Sequence, residues 1–473
     1  LIKNNLHKSL TNLQVMKTKF VRREFLKQSS LATVGTVLAM GLPSLGFAEK
    51  SKVSTLPVVM GGQPVRTQEW PKWPIWNSET DEKRLIENVR SGIWSRGDLV
   101  TEFERKWAQA LGANRSLVVV NGTNALITSL LQLNIGGGDE VIVPPYTFIA
   151  TVAAVLATGA IPVFADVDPN TFQINPDKIE EKITSRTRAI IPVHILGLPA
   201  DMPRILQIAK KHKLVVVEDA CQAHLAEINH QKVGTLGDAG CFSFQNSKNL
   251  AIGEGGAIVS NNNEFMDRCY SYHNYGNPYG TVVGAVGAGT IIPGNKLRIT
   301  EYQAAIGLAQ LNRLDSQTTT RSVNAEYLKS KIGTIPGIVP YKLYSHVTRG
   351  AFHLFPFRYK KDEFRGLSRK DFLNALRAEG IPATNGYATL NTMPFIGNAF
   401  QTKNYKLMYP ANVLDINKYN ENNKCPANDI LCNEEAVWLS QSMLLGTKSD
   451  MDDIFNAIEK IHANAEGIKN KSK

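Results

Sequence analysis

The sequence predicts an α/β fold: a doubly wound, mostly parallel sheet, followed by a smaller α+β region. Three observations predict it. Apolar, β-branched runs at 117–120, 140–143, 161–167, 189–195 and 214–218 read as strands buried on both faces. Helical periods separate them, as a parallel sheet requires, because each crossover must carry the chain back before the next strand begins. The composition, 43% apolar and 20% charged over 473 residues, is that of a globular chain long enough for more than one domain.

The elements follow in order. The stretch 79–92 is a helix stopped by Gly92, and 99–112 is another ending at Gly112, since glycine readily takes the left-handed turn that closes a helix. Strand 117–120 leads into a helix from Thr123 to Leu133. Strand 140–143 leads into a helix over 147–158, stopped by Gly159. Helices at 176–184 and 201–212 separate the next three strands. After Thr300 a long helical pattern runs to about Ile332. The texture then changes to a short strand at 352–359, helices at 368–379 and 449–463, and loops rich in Asn and Pro. The expected organisation is a leader at 1–48, a large domain over 49–330 and a small C-terminal domain over 331–473.

Lys and Arg number 53 against 42 Asp and Glu, a formal net charge of +11. Such an excess raises nucleic acid or an anionic membrane as a partner. Its location argues otherwise. Residues 1–48 carry seven Lys and Arg against Glu24 alone, so +6 sits there. Three more lysines crowd the last five residues, a tail expected to fray. The body is near neutral, and no nucleic-acid groove is indicated. C-x-x-C, H-E-x-x-H and G-x-G-x-x-G are absent from the sequence, which removes support for zinc and dinucleotide sites.

The front end reads as an address. Val21-Arg22-Arg23-Glu24-Phe25-Leu26-Lys27 resembles a twin-arginine export signal, and a mildly apolar run follows it to Gly46-Phe47-Ala48. An uncleaved anchor needs about 20 apolar residues, and Gly35, Gly41, Pro43 and Gly46 weaken this run as a helix. The expectation is a periplasmic or envelope location after export. Of the five cysteines, Cys221, Cys241 and Cys269 read as small buried apolar residues. Cys425 and Cys432 lie in a loop-like stretch, where they either pair or stay free.

Ligands of parallel sheets bind beyond the carboxyl ends of the strands. After 117–120 comes Asn121-Gly122-Thr123, opening a helix: a phosphate cradle, or an ordinary Asn-Gly turn. After 214–217 comes Glu218-Asp219, a carboxylate able to hold a protonated ring nitrogen, or a surface acid. Lys248 stands between a strand end and Gly253-Glu254-Gly255-Gly256. It is a Schiff-base nucleophile or a solvated charge. In that order on one sheet, the three are what pyridoxal phosphate requires.

These stretches, with GDEVIVPPYTFIAT, GAIPVFADVDP, VVEDACQAH and FSFQNSKNLAIGEGG, resemble the DegT/StrS-type aminotransferases of keto-sugars and cyclitols. The likeness is strong over 60–330 and continues in the C-terminal segments. It implies the aspartate-aminotransferase (type I) fold and pyridoxal 5'-phosphate as cofactor. Lys248 would carry the cofactor and shuttle the proton, and Asp219 would pair its ring nitrogen. Gln222 would lie near the ring hydroxyl and Phe148 would stack on the ring. Gly122, Thr123 and Ser243 would bind the phosphate. Family dehydratases have histidine at the lysine position, so Lys248 points to amine transfer. A glutamine or glutamate donor, a keto-sugar or keto-cyclitol acceptor and a homodimer with shared sites are implied as well.

One position departs from the pattern. The family has an asparagine that reaches the other subunit's phosphate, and here Lys296 stands in its place, after Asn295. Lys296 could bind phosphate as a point charge, or Asn295 could substitute by a small shift. Arg298 and Glu301 match the family and also suit a capped helix start. His194 and His224 lie at strand ends, where each lines the pocket or is structural. Trp94, Ser95 and Arg96 form a loop able to close over substrate. The altered asparagine and the export signal motivate one alternative, an exported non-catalytic protein that keeps the fold for binding or sensing.

Overall fold

The computed structural model describes residues 55–282 and 289–471; the export segment expected at 1–48 lies outside the described residues. The large sheet has seven strands: β1 (Arg115–Val119), β2 (Glu140–Val143), β3 (Ile161–Phe164), β4 (Thr187–Ile190), β5 (Val215–Asp219), β6 (Ala239–Ser243) and β7 (Gly256–Ser260). Their order is β1-β7-β6-β5-β4-β2-β3. All pairs are parallel except those of β7, which runs antiparallel to both neighbours. The link from β6 to β7 contains no helix, so the chain turns back instead of crossing over.

Alternation along the strands divides their side chains between two cores. Val118, Ile142, Ile190 and Val216 pack into one; Val119, Val141, Val143 and Val217 pack into the other. Burial on both faces explains the continuous apolar runs in the sequence. The helices Ser78–Ser91 and Asp98–Leu111 close at Gly92 and Gly112, with φ of 72° and 70°. The second of these opens on Gly97, which has no side chain to cap it. Glu301 does so instead: Oε1 accepts from the N–H groups of Gly97 (2.7 Å) and Val100 (2.9 Å), and Oε2 from Leu99 (2.9 Å).

The helix Glu301–Ile332 leads out of this layer, and the boundary expected at 330 falls in its last turn. Beyond it lies a four-stranded antiparallel sheet in the order Ile338–Pro340, Leu354–Tyr359, Ala436–Ser440, Ala383–Asn385. The helices expected at 368–379 and 449–463 are Arg369–Ala378 and Lys448–Ala463.

Three features correct the sequence reading. The Asn-rich stretch after 390 is helical, at Pro394–Phe400, Lys403–Met408 and Ile416–Asn422. It meets the edge strand β3, where Asn423 Oδ1 accepts from the Phe164 N–H at 2.7 Å and Tyr419 donates to the Pro162 carbonyl at 2.6 Å. That covers backbone groups an edge strand leaves open. Cys432 lies in the helical turn Leu431–Glu435, not a loop, while Cys425 stands just before the helix Pro426–Ile430; both are buried free thiols, bonded to Asn428 Oδ1 and the Asn423 carbonyl respectively. The C-terminal lysine tail is helical through Lys471, where Lys469 Nζ donates to the Arg365 carbonyl at 2.8 Å.

Candidate active site

The helix Gly122–Gln132 begins immediately after β1, at the carboxyl end of the sheet. Asn121 caps it, its side chain accepting from the Asn124 N–H at 2.8 Å. The N–H groups of Gly122 and Thr123, in the first turn, have no intrahelical acceptor. Glycine is required here: a Cβ on Gly122 would stand 2.6 Å from Cys221 Sγ and 2.9 Å from Ser243 Cβ. The backbone therefore packs against the ends of β5 and β6 with no room for a side chain.

Asp219 ends β5 and is 5% exposed. Its Oδ2 accepts from Thr151 Oγ1 at 2.8 Å and its Oδ1 from the Cys221 N–H at 3.2 Å. Thr147 and Thr151 hydroxyls join at 2.9 Å behind it. Gln222 is fixed at both ends of its amide. Oε1 accepts from the Leu196 N–H at 2.9 Å and Nε2 donates to the Tyr387 hydroxyl at 2.8 Å. Ser243 ends β6, and Lys248 follows in the turn toward β7.

These residues meet. A cavity of about 510 Å³ is lined by Gly122, Thr123, Phe148, Asp219, Gln222, Ser243 and Lys248, together with Asn121, Thr151, Cys221, His353 and Tyr387. No hydrogen bond or ion pair engages Lys248 Nζ among the described residues. Burial lowers its pKa below the ordinary 10.5, and the Asp219 carboxylate opposes the shift only in part. Burial, then Asp219, raises the Cys221 thiol well above its usual range, so the thiol stays protonated beside the lysine. Phe148 is 56% exposed at the cavity's rim.

A flat, phosphorylated heterocycle with a basic ring nitrogen fits this set. The helix start and Ser243 suit its phosphate, Asp219 its ring nitrogen, Phe148 its face and Lys248 its aldehyde. Lys296 is not among the lining residues of its own chain's cavity; it is exposed, as is Asn295.

The alternatives left open for two histidines are decided by their surroundings. His194 and His224 are fully buried and line no part of the cavity. His194 Nδ1 accepts from the Ala200 N–H (3.1 Å), so Nε2 carries the proton toward Glu218 (2.9 Å). His224 Nε2 meets the Ser243 carbonyl at 2.9 Å, and burial lowers its pKa to about 3. Both are structural. Arg96 is bound at two points by Glu104, each at 2.7 Å, and faces a second cavity of about 810 Å³ with Arg115, Tyr270 and Tyr279. That larger cavity contains neither Lys248 nor Asp219. Arg298 donates to Asn274 Oδ1 at 3.0 Å.

Thr151, His353 and Tyr387 were not anticipated. Thr151 lay within a quoted stretch, YTFIAT, one helical turn past Thr147. His353 and Tyr387 belong to the region after 331, which carries no motif on the order of the Lys248 turn.

The family model of the DegT/DnrJ/EryC1/StrS aminotransferase family matches residues 77–414. A putative L-glutamine:3-amino-2,3-dideoxy-scyllo-inosose aminotransferase of Micromonospora echinospora is 34% identical over 431 residues, 87% of this chain and 98% of the relative. An L-glutamine:2-deoxy-scyllo-inosose aminotransferase of Streptomyces kanamyceticus is 33% identical, with coverages of 85% and 96%. The crystal structure of 3-amino-5-hydroxybenzoic acid synthase superposes with a TM-score of 0.73 at 29% identity, covering 85% of this chain and all of that one. DesV of S. venezuelae, in complex with a ketimine intermediate, gives 0.68 at 29% identity, with coverages of 84% and 99%.

Proposed function

The chain belongs to the DegT/DnrJ/EryC1/StrS aminotransferase family and is a pyridoxal-phosphate-dependent aminotransferase, and from that premise we propose that it moves the amino group of glutamine or glutamate onto the keto group of a cyclitol or sugar. The observation that carries the proposal is Lys248 Nζ, unpaired among the described residues and of lowered basicity, in one cavity with Asp219 and the Gly122 helix start. The named activities of the scyllo-inosose relatives support the substrate class.

Bound pyridoxal phosphate supplies an aldehyde that condenses with amines and a ring that withdraws electrons from the bond being broken. The chain's own residues do the rest. Lys248, held toward its neutral form, is a nucleophile and then the base that takes and returns a proton at the substrate carbon. Asp219, oriented by the donors on both its oxygens, would hold the ring nitrogen's proton. The first turn at Gly122 and Thr123, with Ser243, would anchor the phosphate, and Phe148 would cover one face of the ring. Gln222 would face the ring hydroxyl.

A second copy would complete the site. Lys296 and Asn295, exposed and outside the lining of their own chain's cavity, suit a phosphate contact across a dimer interface. Export before action is also proposed, motivated by the Arg22-Arg23 segment. A folded carrier route would let the cofactor load first. Mature protein found wholly in the cytoplasm with 16–48 intact would overturn it.

A donor and acceptor screen tests the main proposal. Glutamine or glutamate should shift the yellow enzyme to its amine-loaded spectrum, and a polyol ketone should restore it. An enzyme that takes up cofactor but gives no shift with any donor would defeat the reading.

A further inference from the structure

We propose that His353 is a specificity-determining residue that accepts a hydrogen bond from a hydroxyl of the polyol ketone. The inference deepens the proposed function and rests on it. It begins at Asn249, the residue after Lys248. Asn249 is 1% exposed, and its Nδ2 donates to the Ala351 carbonyl at 2.8 Å. That bond fixes which way the amide points, so Oδ1 is the end that faces His353 Nδ1, at 3.3 Å. An amide oxygen only accepts, so Nδ1 of the imidazole carries the hydrogen.

The tautomer follows. With the proton on Nδ1, Nε2 of a neutral ring offers a lone pair. His353 lines the Lys248 cavity while its Nδ1 edge is turned to Asn249, which leaves the Nε2 edge for a ligand. The ring does not become a cation there. It is 7% exposed, and burial lowers its pKa well below the ordinary 6.5, reinforced by the Lys248 and Arg321 charges. Among the described residues no acid opposes this shift.

A neutral acceptor selects by chemistry. It gives no attraction to the carboxylate of an amino-acid donor. It does suit an O–H group, and a keto-cyclitol or keto-sugar carries one on most of its carbons. A buried acceptor left unmatched is what rejects a substrate lacking the hydroxyl.

The two half-reactions separate this from a structural role. Amine loading is followed with glutamine or glutamate, and unloading with scyllo-inosose and with cyclohexanone, a cyclic ketone without hydroxyls. His353→Phe should raise KM for scyllo-inosose about tenfold, the worth of one neutral hydrogen bond, and leave loading within about twofold. It should leave cyclohexanone unaffected. His353→Gln, which keeps an acceptor, should recover most of the loss and also reports on folding. Equal loss in both half-reactions, no loss in either, or equal loss with cyclohexanone would overturn the inference alone. A wild-type enzyme that loads its amine yet passes it to no polyol ketone would overturn it together with the proposed function.

Discussion

Gly122→Ala tests the phosphate cradle by the smallest possible change. The added methyl carbon would lie 2.6 Å from Cys221 Sγ and 2.9 Å from Ser243 Cβ. Nonbonded carbon contacts sit near 3.5–4.0 Å, so the helix start must retreat by about 1 Å from β5 and β6. Overpacking of this kind costs roughly 1–3 kcal/mol. If the retreat is felt where the Gly122 and Thr123 N–H groups meet the phosphate, cofactor affinity falls about 5- to 150-fold, at about 1.4 kcal/mol per tenfold. The assay is titration of the cofactor-free enzyme with pyridoxal phosphate, read by absorbance. Cys221→Ala removes the nearer obstacle, so Gly122→Ala/Cys221→Ala should recover part of the affinity. Strictly additive effects of the two substitutions, or an unchanged affinity in Gly122→Ala, would refute the reasoning.

Other consequences can be measured alongside. Thr151→Val removes a hydrogen bond to a charged Asp219 oxygen; kcat/KM should fall about 10- to 100-fold, from the roughly 1.5–3 kcal/mol such bonds carry, with cofactor still bound. Borohydride should fix the cofactor to wild type and not to Lys248→Ala, seen as intact mass; a fixed adduct elsewhere would contradict the assignment. In cofactor-free enzyme, Lys248 lies below its ordinary 10.5 because it is buried. Between that depressed value and 10.5 the unfolded chain binds more protons than the folded one, so this residue's contribution to stability rises with pH across the window. The urea midpoint of wild type should therefore rise with pH relative to that of Lys248→Met across this window, and a constant difference would exclude it. Glu301→Ala leaves three backbone N–H groups of the helix Asp98–Leu111 without their acceptor; stability should drop by about 1–3 kcal/mol in urea unfolding, and an unchanged midpoint would show that water replaces the carboxylate.

How much of this was legible in the sequence depended on distance along the chain. Each strand, its following turn and the first helical residues are one local unit, so β1 with Gly122, β5 with Asp219 and β6 with Ser243 could be read from runs and punctuation. Their convergence on one cavity follows from parallel topology. What failed was whatever needed a partner far away in sequence. Glu301 matched the family pattern and also suited a capped helix start, but that it caps another helix, one beginning some two hundred residues earlier, could not be read. The polar stretch after 390 read as loop because its helices bury only one face, against the edge of β3. His194 and His224 stand at strand ends as ligands would, but their rings turn to Glu218 and the Ser243 carbonyl.

Gly197 shows why the cavity's far wall was invisible. In the sequence it is one glycine in ILGLPADM, explained well enough by a turn, and its φ of 84° agrees. The tertiary reason is stronger. A Cβ there would lie 2.5 Å from the His353 N, 2.7 Å from the Phe352 N and 2.8 Å from the Gln222 carbonyl. The 351–353 segment rests on this bare backbone, tied by the Ala351 N–H to the Gly197 carbonyl at 2.8 Å and by the Ala351 carbonyl to Asn249. Lys248 and Asn249 are neighbours, so one short turn aims the lysine into the cavity and fixes the segment bearing His353. Gln222, on the third side, is held by Leu196, the residue before Gly197. The groups that would perform the chemistry and the group that would read the substrate thus share one backbone contact. A side chain at 197 would displace them together, whereas a change at His353 alone would not.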